Sequence, residues 1–94
     1  MEAINTKFDL TGKIAIVTGG YGHLGAAITK ALARQGCLVY VAGRSHDKFK
    51  KIFLNTNKIK FIELDVSNKD SIKQCFETIR DDHDTLEILI NNAT

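Results

Sequence analysis

The sequence predicts an α/β chain built on a doubly wound parallel sheet. Three observations predict it. Residues 13–36, KIAIVTGGYGHLGAAITKALARQG, read as a short apolar strand, a glycine-rich turn and an amphipathic helix. Two further apolar runs of strand length follow at 37–42 and 58–64, each trailed by a helical pattern, and a fourth run closes the chain at 86–90. Strands that alternate with helices pair in parallel through right-handed crossovers.

Residues 1–12 form a lead-in, with Phe8 and Leu10 placed to tuck under the sheet and Thr11-Gly12 turning into the first strand. That strand, 13–18, is short, apolar from Ile14 to Val17 and bounded by Gly12 and Gly19, as suits a strand buried on both faces. In the helix that follows, Leu24, Ala27, Ile28, Ala31 and Leu32 recur at the spacing of one apolar face, and Gly36 stops it. Strand two, 37–42, leads to the turn Gly43-Arg44-Ser45, with Ser45 as N-cap of a helix running to about Leu54 and Asp47 in its first turn. Asn55-Thr56-Asn57 breaks that helix. Strand three, 58–64, carries apolar residues in both phases and ends at Asp65. Ser67-Asn68-Lys69-Asp70 resembles a capping sequence for a helix over 69–82, whose apolar face is Ile72, Cys75, Phe76 and Ile79. Strand four, 86–90, precedes Asn91-Asn92-Ala93-Thr94.

The order β-α-β-α-β-α-β places the strands 3-2-1-4, the first half of a Rossmann-like sheet, with a ligand crevice expected between strands 1 and 4. The glycine turn, Asp65 and residues 91–93 all follow the carboxyl ends of strands. A helix start offers unpaired N–H groups and a partial positive charge, which hold a phosphate if the backbone can come close. Gly20-x-Gly22-x-x-Gly25 matches the dinucleotide fingerprint in the strand-to-helix context that reading requires. The alternative is a tight turn that binds nothing.

Composition narrows the partners. Ninety-four residues make one small domain, 44% hydrophobic and 26% charged, with net charge +2, too small to imply a nucleic-acid partner. The one basic cluster, Lys48, Lys50, Lys51, Lys58 and Lys60, interleaves with Phe49, Ile52 and Phe53 and reads as a solvated helix face over a buried one. Cys37 and Cys75 read as small core residues in a reducing compartment, and His23, His46 and His83 lack metal-ligand spacing. No apolar stretch approaches the roughly 18 residues of a membrane span, and the first ten residues have no signal-peptide core. A cytoplasmic protein is the expectation.

Four landmarks together resemble the N-terminal part of the short-chain dehydrogenases/reductases: Leu10-Thr11-Gly12-Lys13, Thr18-Gly19-Gly20-Tyr21-Gly22-His23-Leu24-Gly25, Asp65-Val66 and Asn91-Asn92-Ala93. The resemblance covers essentially the whole chain. It implies a nicotinamide dinucleotide bound in this half, with residues 18–25 at the pyrophosphate, Asp65 on the adenine amino group, Val66 beside it, Asn92 and Ala93 along the ribose, and Asn91 tying strand 4 to its neighbours. Two departures stand out. The spacing TGxxGxxG belongs to the extended subgroup of that family, with His23 where the shorter-chain subgroup has glycine, whereas Asn91-Asn92-Ala93 belongs to the shorter-chain subgroup. Thr94 stands where that motif ends in glycine.

NAD sites place an acid at the end of strand two, to bond the ribose 2′-hydroxyl. Here that position is Gly43, followed by Arg44, whose charged fork suits a 2′-phosphate. This favours NADP, with NAD as the alternative; against NADP, Gly22 stands where NADP-binding relatives often carry Arg or Lys. The family's catalytic Ser and Tyr-x-x-x-Lys have no counterpart, since Tyr21 is followed four residues on by Gly25 and Tyr40 by Arg44. The expectation is therefore the cofactor-binding part of a carbonyl/alcohol oxidoreductase, 1–94, inactive alone, with a small-molecule substrate met only in a longer chain. The competing expectations are a non-catalytic nucleotide-binding module and an inert truncated product. A phosphorylation receiver is disfavoured because Thr18-Gly19 stands where its acid pair would follow strand one.

Overall fold

The computed structural model describes residues 9–19, 21–53, 57–83 and 85–91. Its elements run β1 (Ile14–Thr18), α1 (His23–Arg34), β2 (Leu38–Gly43), α2 (His46–Ile52), β3 (Ile59–Glu63), α3 (Lys69–Asp82) and β4 (Ile88–Asn91). The four strands form one sheet in the order β3-β2-β1-β4, every pair parallel. This is the predicted Rossmann-like arrangement, with element ends shifted by one or two residues.

All five residues of β1 are buried, as its unbroken apolar sequence requires of a central strand. Its alternation divides the core. Ile14 and Ile16 face a cluster with Tyr40, Ala42, Ile62 and Leu64, closed by Cys75 and Ile79 of α3. Ala15 and Val17 face the other way, with Cys37, Val39, Leu32 and Ala33. A third cluster on that second face joins Val41 and Ile59 to Phe49 and Phe53. Thus α1 and α2 cover one side of the sheet and α3 the other, and each fully buried Ile or Val contributes about 1.5–3 kcal/mol. Both cysteines are buried and free, and Leu10 packs against the second cluster while its N–H donates to Gln35 O at 2.7 Å. Phe8 lies outside the described residues.

Three expectations need correction. Of the face expected for α1, Leu32 packs on the core, but Leu24, Ala27 and Ala31 are exposed. Gly25 and Thr29 are its buried residues, Ala26, Leu32 and Ala33 pack on the core, and Leu24 is 63% exposed. The helix is turned by about one residue, 100°, because the small side chains of Gly25 and Ala26 let it lie close to the strands. On α3, Cys75 and Ile79 are buried as expected, but Phe76 is 37% exposed at the margin of that face. The N-cap of α3 is Asn68, not Ser67: the Asn68 side chain accepts from the N–H groups of Asp70 (2.9 Å) and Ser71 (3.2 Å). Ser67 is engaged elsewhere, its hydroxyl donating to Asp65 Oδ1 at 2.7 Å. The Ser45 cap is as expected, its Oγ accepting the Lys48 N–H at 3.2 Å.

Among the described residues no helix is long and apolar enough to cross a membrane, and no three His, Cys, Asp or Glu side chains gather to hold a metal ion.

Candidate functional site

In register, Thr18 stands level with Ala42 on β2 and Asn91 on β4, and Ala42 stands level with Ile62 on β3. The carboxyl ends of the strands therefore finish on one rim. Above that rim lies a cleft of about 1050 Å³, lined from three strand-to-helix turns. The first turn supplies Thr18, Gly19, Tyr21, Gly22, His23 and Leu24; the second supplies Gly43, Arg44, Ser45 and Lys48; the third supplies Asp65, Val66 and Ser67. A cleft outside the carboxyl ends of strands in an open α/β sheet is where such folds bind ligands.

The floor is the start of α1. Its N-cap is Gly22, which offers no side-chain cap, and its first turn carries no acid. The leading N–H groups and the positive end of the helix dipole are thus left for a ligand. Gly22 has φ −75° and ψ 172°, a conformation any residue adopts, and a Cβ placed there would meet only Gly19 O, at 3.8 Å. Neither backbone nor packing among the described residues demands glycine at 22, and the space it leaves opens on the cleft.

The walls carry polar groups. Asp65 Oδ1 accepts from the Ser67 hydroxyl at 2.7 Å and from the Ser67 N–H at 3.0 Å. These bonds hold its carboxyl below the usual carboxylate range, and the Arg44 guanidinium adds to the effect. The Asp65 N–H in turn donates to Ser71 Oγ at 2.8 Å, which ties the turn to α3. Across the cleft, the Tyr21 hydroxyl accepts the Ser45 N–H at 3.1 Å. Burial pushes the Tyr21 phenol above its ordinary value, against the opposing pull of that bond. At the β1–β4 seam, the Thr18 hydroxyl lies 3.0 Å from Asn91 Oδ1 and 3.4 Å from Ile90 O, so Asn91 does tie the fourth strand to the first.

Nine of the thirteen residues singled out from sequence meet in this one cleft: Thr18, Gly19, Tyr21, Gly22, His23, Leu24, Arg44, Asp65 and Val66. Gly25 does not line it; it is buried where α1 meets the sheet. Gly20, Asn92 and Ala93 lie outside the described residues. Among the described residues the cleft lies over the ends of β1, β2 and β3; the side of the crevice expected beyond β4, at residues 92 and 93, lies outside the described residues. Sequence reasoning missed Ser67 as the partner of Asp65 and set Lys48 aside as part of a solvated face. The available signal for Lys48 was its place three residues after the cap Ser45, which brings it back over the turn.

The comparisons with known proteins agree with this geometry. Residues 13–94 match the family described as short chain dehydrogenase. An uncharacterized oxidoreductase of Schizosaccharomyces pombe is 40% identical over 91 residues, which are 90% of this chain and 27% of that protein. Nodulation protein G of a Rhizobium strain is 33% identical over 87 residues, 92% of this chain and 36% of that protein. Among solved structures, a short chain dehydrogenase from Bacillus anthracis superposes with a TM-score of 0.80 at 30% identity, over 93% of this chain and 37% of the other. The N-domain, with NADP, of a bacterial malonyl-CoA reductase gives a TM-score of 0.81 at 28% identity, over 90% of this chain and 17% of the other. The chain thus spans about a third of the length of the curated relatives it matches.

Proposed function

The chain belongs to the short-chain dehydrogenase family, and from that premise we propose that residues 1–94 are the dinucleotide-binding part of an oxidoreductase of carbonyl or alcohol groups, with NADP as the cofactor. The observation that carries this reading is the convergence of the glycine turn, Arg44 and Asp65 on one cleft at the strand ends, over a helix start that no side chain caps. In this reading Gly19, Gly20 and Gly22 and the start of α1 receive the pyrophosphate, with Thr18, His23 and Leu24 shaping that floor and Gly25 buried beneath it. Asp65 accepts from the adenine amino group, with Val66 packing beside the ring, and Asn92 and Ala93 follow the ribose. Arg44 takes the 2′-phosphate, and Lys48 adds a second cation to that end of the cleft. The bound cofactor supplies hydride transfer; these residues supply binding and orientation. The N-domain that carries NADP in the malonyl-CoA reductase supports the choice of cofactor class.

In this reading neither tyrosine of the chain serves as the proton donor. Tyr40 is buried in the sheet with its hydroxyl 2.9 Å from His83 Nε2. Tyr21 is fastened to Ser45. Burial raises the pKa of both, which makes each a poorer acid at neutral pH. The substrate and its proton donor are therefore assigned to the remaining length seen in relatives. That same observation favours, as the second reading, a nucleotide-binding module without chemistry of its own.

Titration with NADPH and NADH, followed by nicotinamide fluorescence, tests the proposal. NADPH binds more tightly than NADH, and Arg44→Ala weakens NADPH by about tenfold or more, the worth of one charge-assisted contact, while leaving NADH unchanged. A folded chain that binds neither dinucleotide leaves only the inert reading. Equal losses for the two cofactors in Arg44→Ala refute the 2′-phosphate assignment.

A further inference from the structure

We infer that Tyr21 is a specificity-determining residue: its ring occupies the space in which a dinucleotide site selective for NAD stands its carboxylate, and so it closes this cleft to the NAD-type arrangement at position 43. The inference rests on the proposed dinucleotide reading and deepens it.

Position 43 ends β2 and faces the cleft. An acid there would bond a ribose 2′-hydroxyl and repel a 2′-phosphate. Gly43 has no side chain, and the structure shows why. A Cβ built on Gly43 falls on the Tyr21 hydroxyl oxygen and lies 2.8 Å from the ring carbons Cε2 and Cζ. Real Cβ atoms do not approach so closely, so a side chain at 43 requires the outer end of the Tyr21 ring to shift. The ring is held at both ends. Its hydroxyl accepts the Ser45 N–H at 3.1 Å, and its body packs on the cluster of Val41, Phe49, Phe53 and Ile59. Moving it abandons the hydrogen bond to the turn that carries Arg44 and opens an apolar contact to water.

The pair works in both directions. With Tyr21 seated, glycine is the residue that fits at 43, and the turn after β2 offers Arg44, Ser45 and Lys48 to the cleft, whose carboxylate is Asp65 of the third turn. The phenol, having accepted from Ser45, keeps its own proton for an acceptor in the cleft. The selectivity of the cleft therefore depends on a side chain in the phosphate turn as well as on the residue after β2.

The test is a double-mutant cycle in the natural polypeptide at full length, with variants Gly43→Asp, Tyr21→Ser and the two combined. Equilibrium binding of NADPH, NADH and adenosine 2′,5′-bisphosphate is measured by calorimetry, and Tm is measured on each variant without nucleotide. Gly43→Asp alone is expected to lose NADPH, to gain no NADH, and to melt a few degrees lower. Tyr21→Ser alone weakens NADPH and adenosine 2′,5′-bisphosphate by a few fold and gains no NADH. The combined variant binds NADH about tenfold more tightly than Gly43→Asp does and recovers part of its Tm, the non-additivity expected of groups in contact. Gly43→Asp binding NADH as well as the combined variant, or Tm changes that simply add, overturns the inference while the dinucleotide reading stands. Wild-type protein that binds NADH as tightly as NADPH overturns it too, because the seated ring then selects nothing. A wild type that binds no dinucleotide or bisphosphate refutes the reading itself and the inference with it.

Discussion

Two glycines that share a left-handed backbone but differ in what surrounds them allow strain and crowding to be measured apart. Gly12 has φ +85° and, among the described residues, no atom within 4 Å of the place a Cβ would take. Gly36, where α1 hands the chain to β2, has φ +96°, and a Cβ there would lie 2.6 Å from Thr11 Oγ1 and 3.1 Å from both Thr11 Cα and Thr11 N. The hydroxyl can rotate away; the backbone atoms cannot. Thr11 is fixed by its N–H donating to Asp9 Oδ1 at 3.0 Å, and residue 36 by its N–H donating to Ala33 O at 3.0 Å. For Gly12→Ala the left-handed conformation costs about 1–2 kcal/mol, offset by about 0.4–1 kcal/mol from the stiffer unfolded chain. The net loss is between about 0 and 1.6 kcal/mol. Gly36→Ala carries the same backbone terms and adds about 1–3 kcal/mol for the overpacked contact. Urea unfolding and thermal melts read the difference, at about 4–8 °C per kcal/mol for a domain of this size. Equal losses for the two variants would show that the Thr11 contact relaxes freely and that the crowding argument fails.

Two further outcomes follow from single groups. Thr29 is buried in α1 with its hydroxyl unpartnered, so Thr29→Val, which keeps shape and branching, raises stability by about 1 kcal/mol; an unchanged or lower Tm refutes it. Asp9, Asp65 and Glu87 are each held below their ordinary pKa, by hydrogen bonds first from the Thr11, Ser67 and Thr85 side chains respectively. A depressed folded pKa stabilises above the unfolded value and loses that contribution as pH falls through the folded one, so Tm declines from about pH 5 downward; a Tm that rises on acidification contradicts the assignment.

What was legible in the sequence was what glycine and apolar runs announce. The unit from β1 to Gly36 could be read because glycines punctuate both ends and the strand is unbroken by polar residues. Strand order followed from alternation alone. The orientation of α1 was misread because counting hydrophobic residues favours Leu24 and Ile28, whereas the sheet takes the residues that let a helix come close. Thr29, fully buried, looks polar in a pattern, and Gly25 looks like nothing at all. The α3 cap was misplaced for a local reason: Ser67 and Asn68 are both good caps, and Asp65 claims the serine. Lys48 belongs to a lysine-rich stretch whose neighbours Lys50 and Lys51 are exposed in the ordinary way. Only the fold brings it to the same rim as Arg44.

On the proposed function, the same division separates how the cleft would grip a dinucleotide from how it would choose between two. Grip comes from backbone: a helix start, a strand end and the space left by glycine, all of which a sequence advertises through what is missing. Choice comes from side chains meeting across turns that are far apart in the chain. Tyr21 and Gly43 are such a pair, and neither residue read alone says anything about the other. A glycine after the second strand looks like the mere absence of an acid until the ring that fills the space is seen. On the proposed function, the capacity to hold a phosphate would be distributed over the fold and would resist single substitutions of side chains, whereas the preference between two dinucleotides would rest on a few contacts at one rim. Arg44, Lys48 and the Tyr21–Ser45 bond are the groups there whose loss would alter preference without dismantling the sheet beneath them.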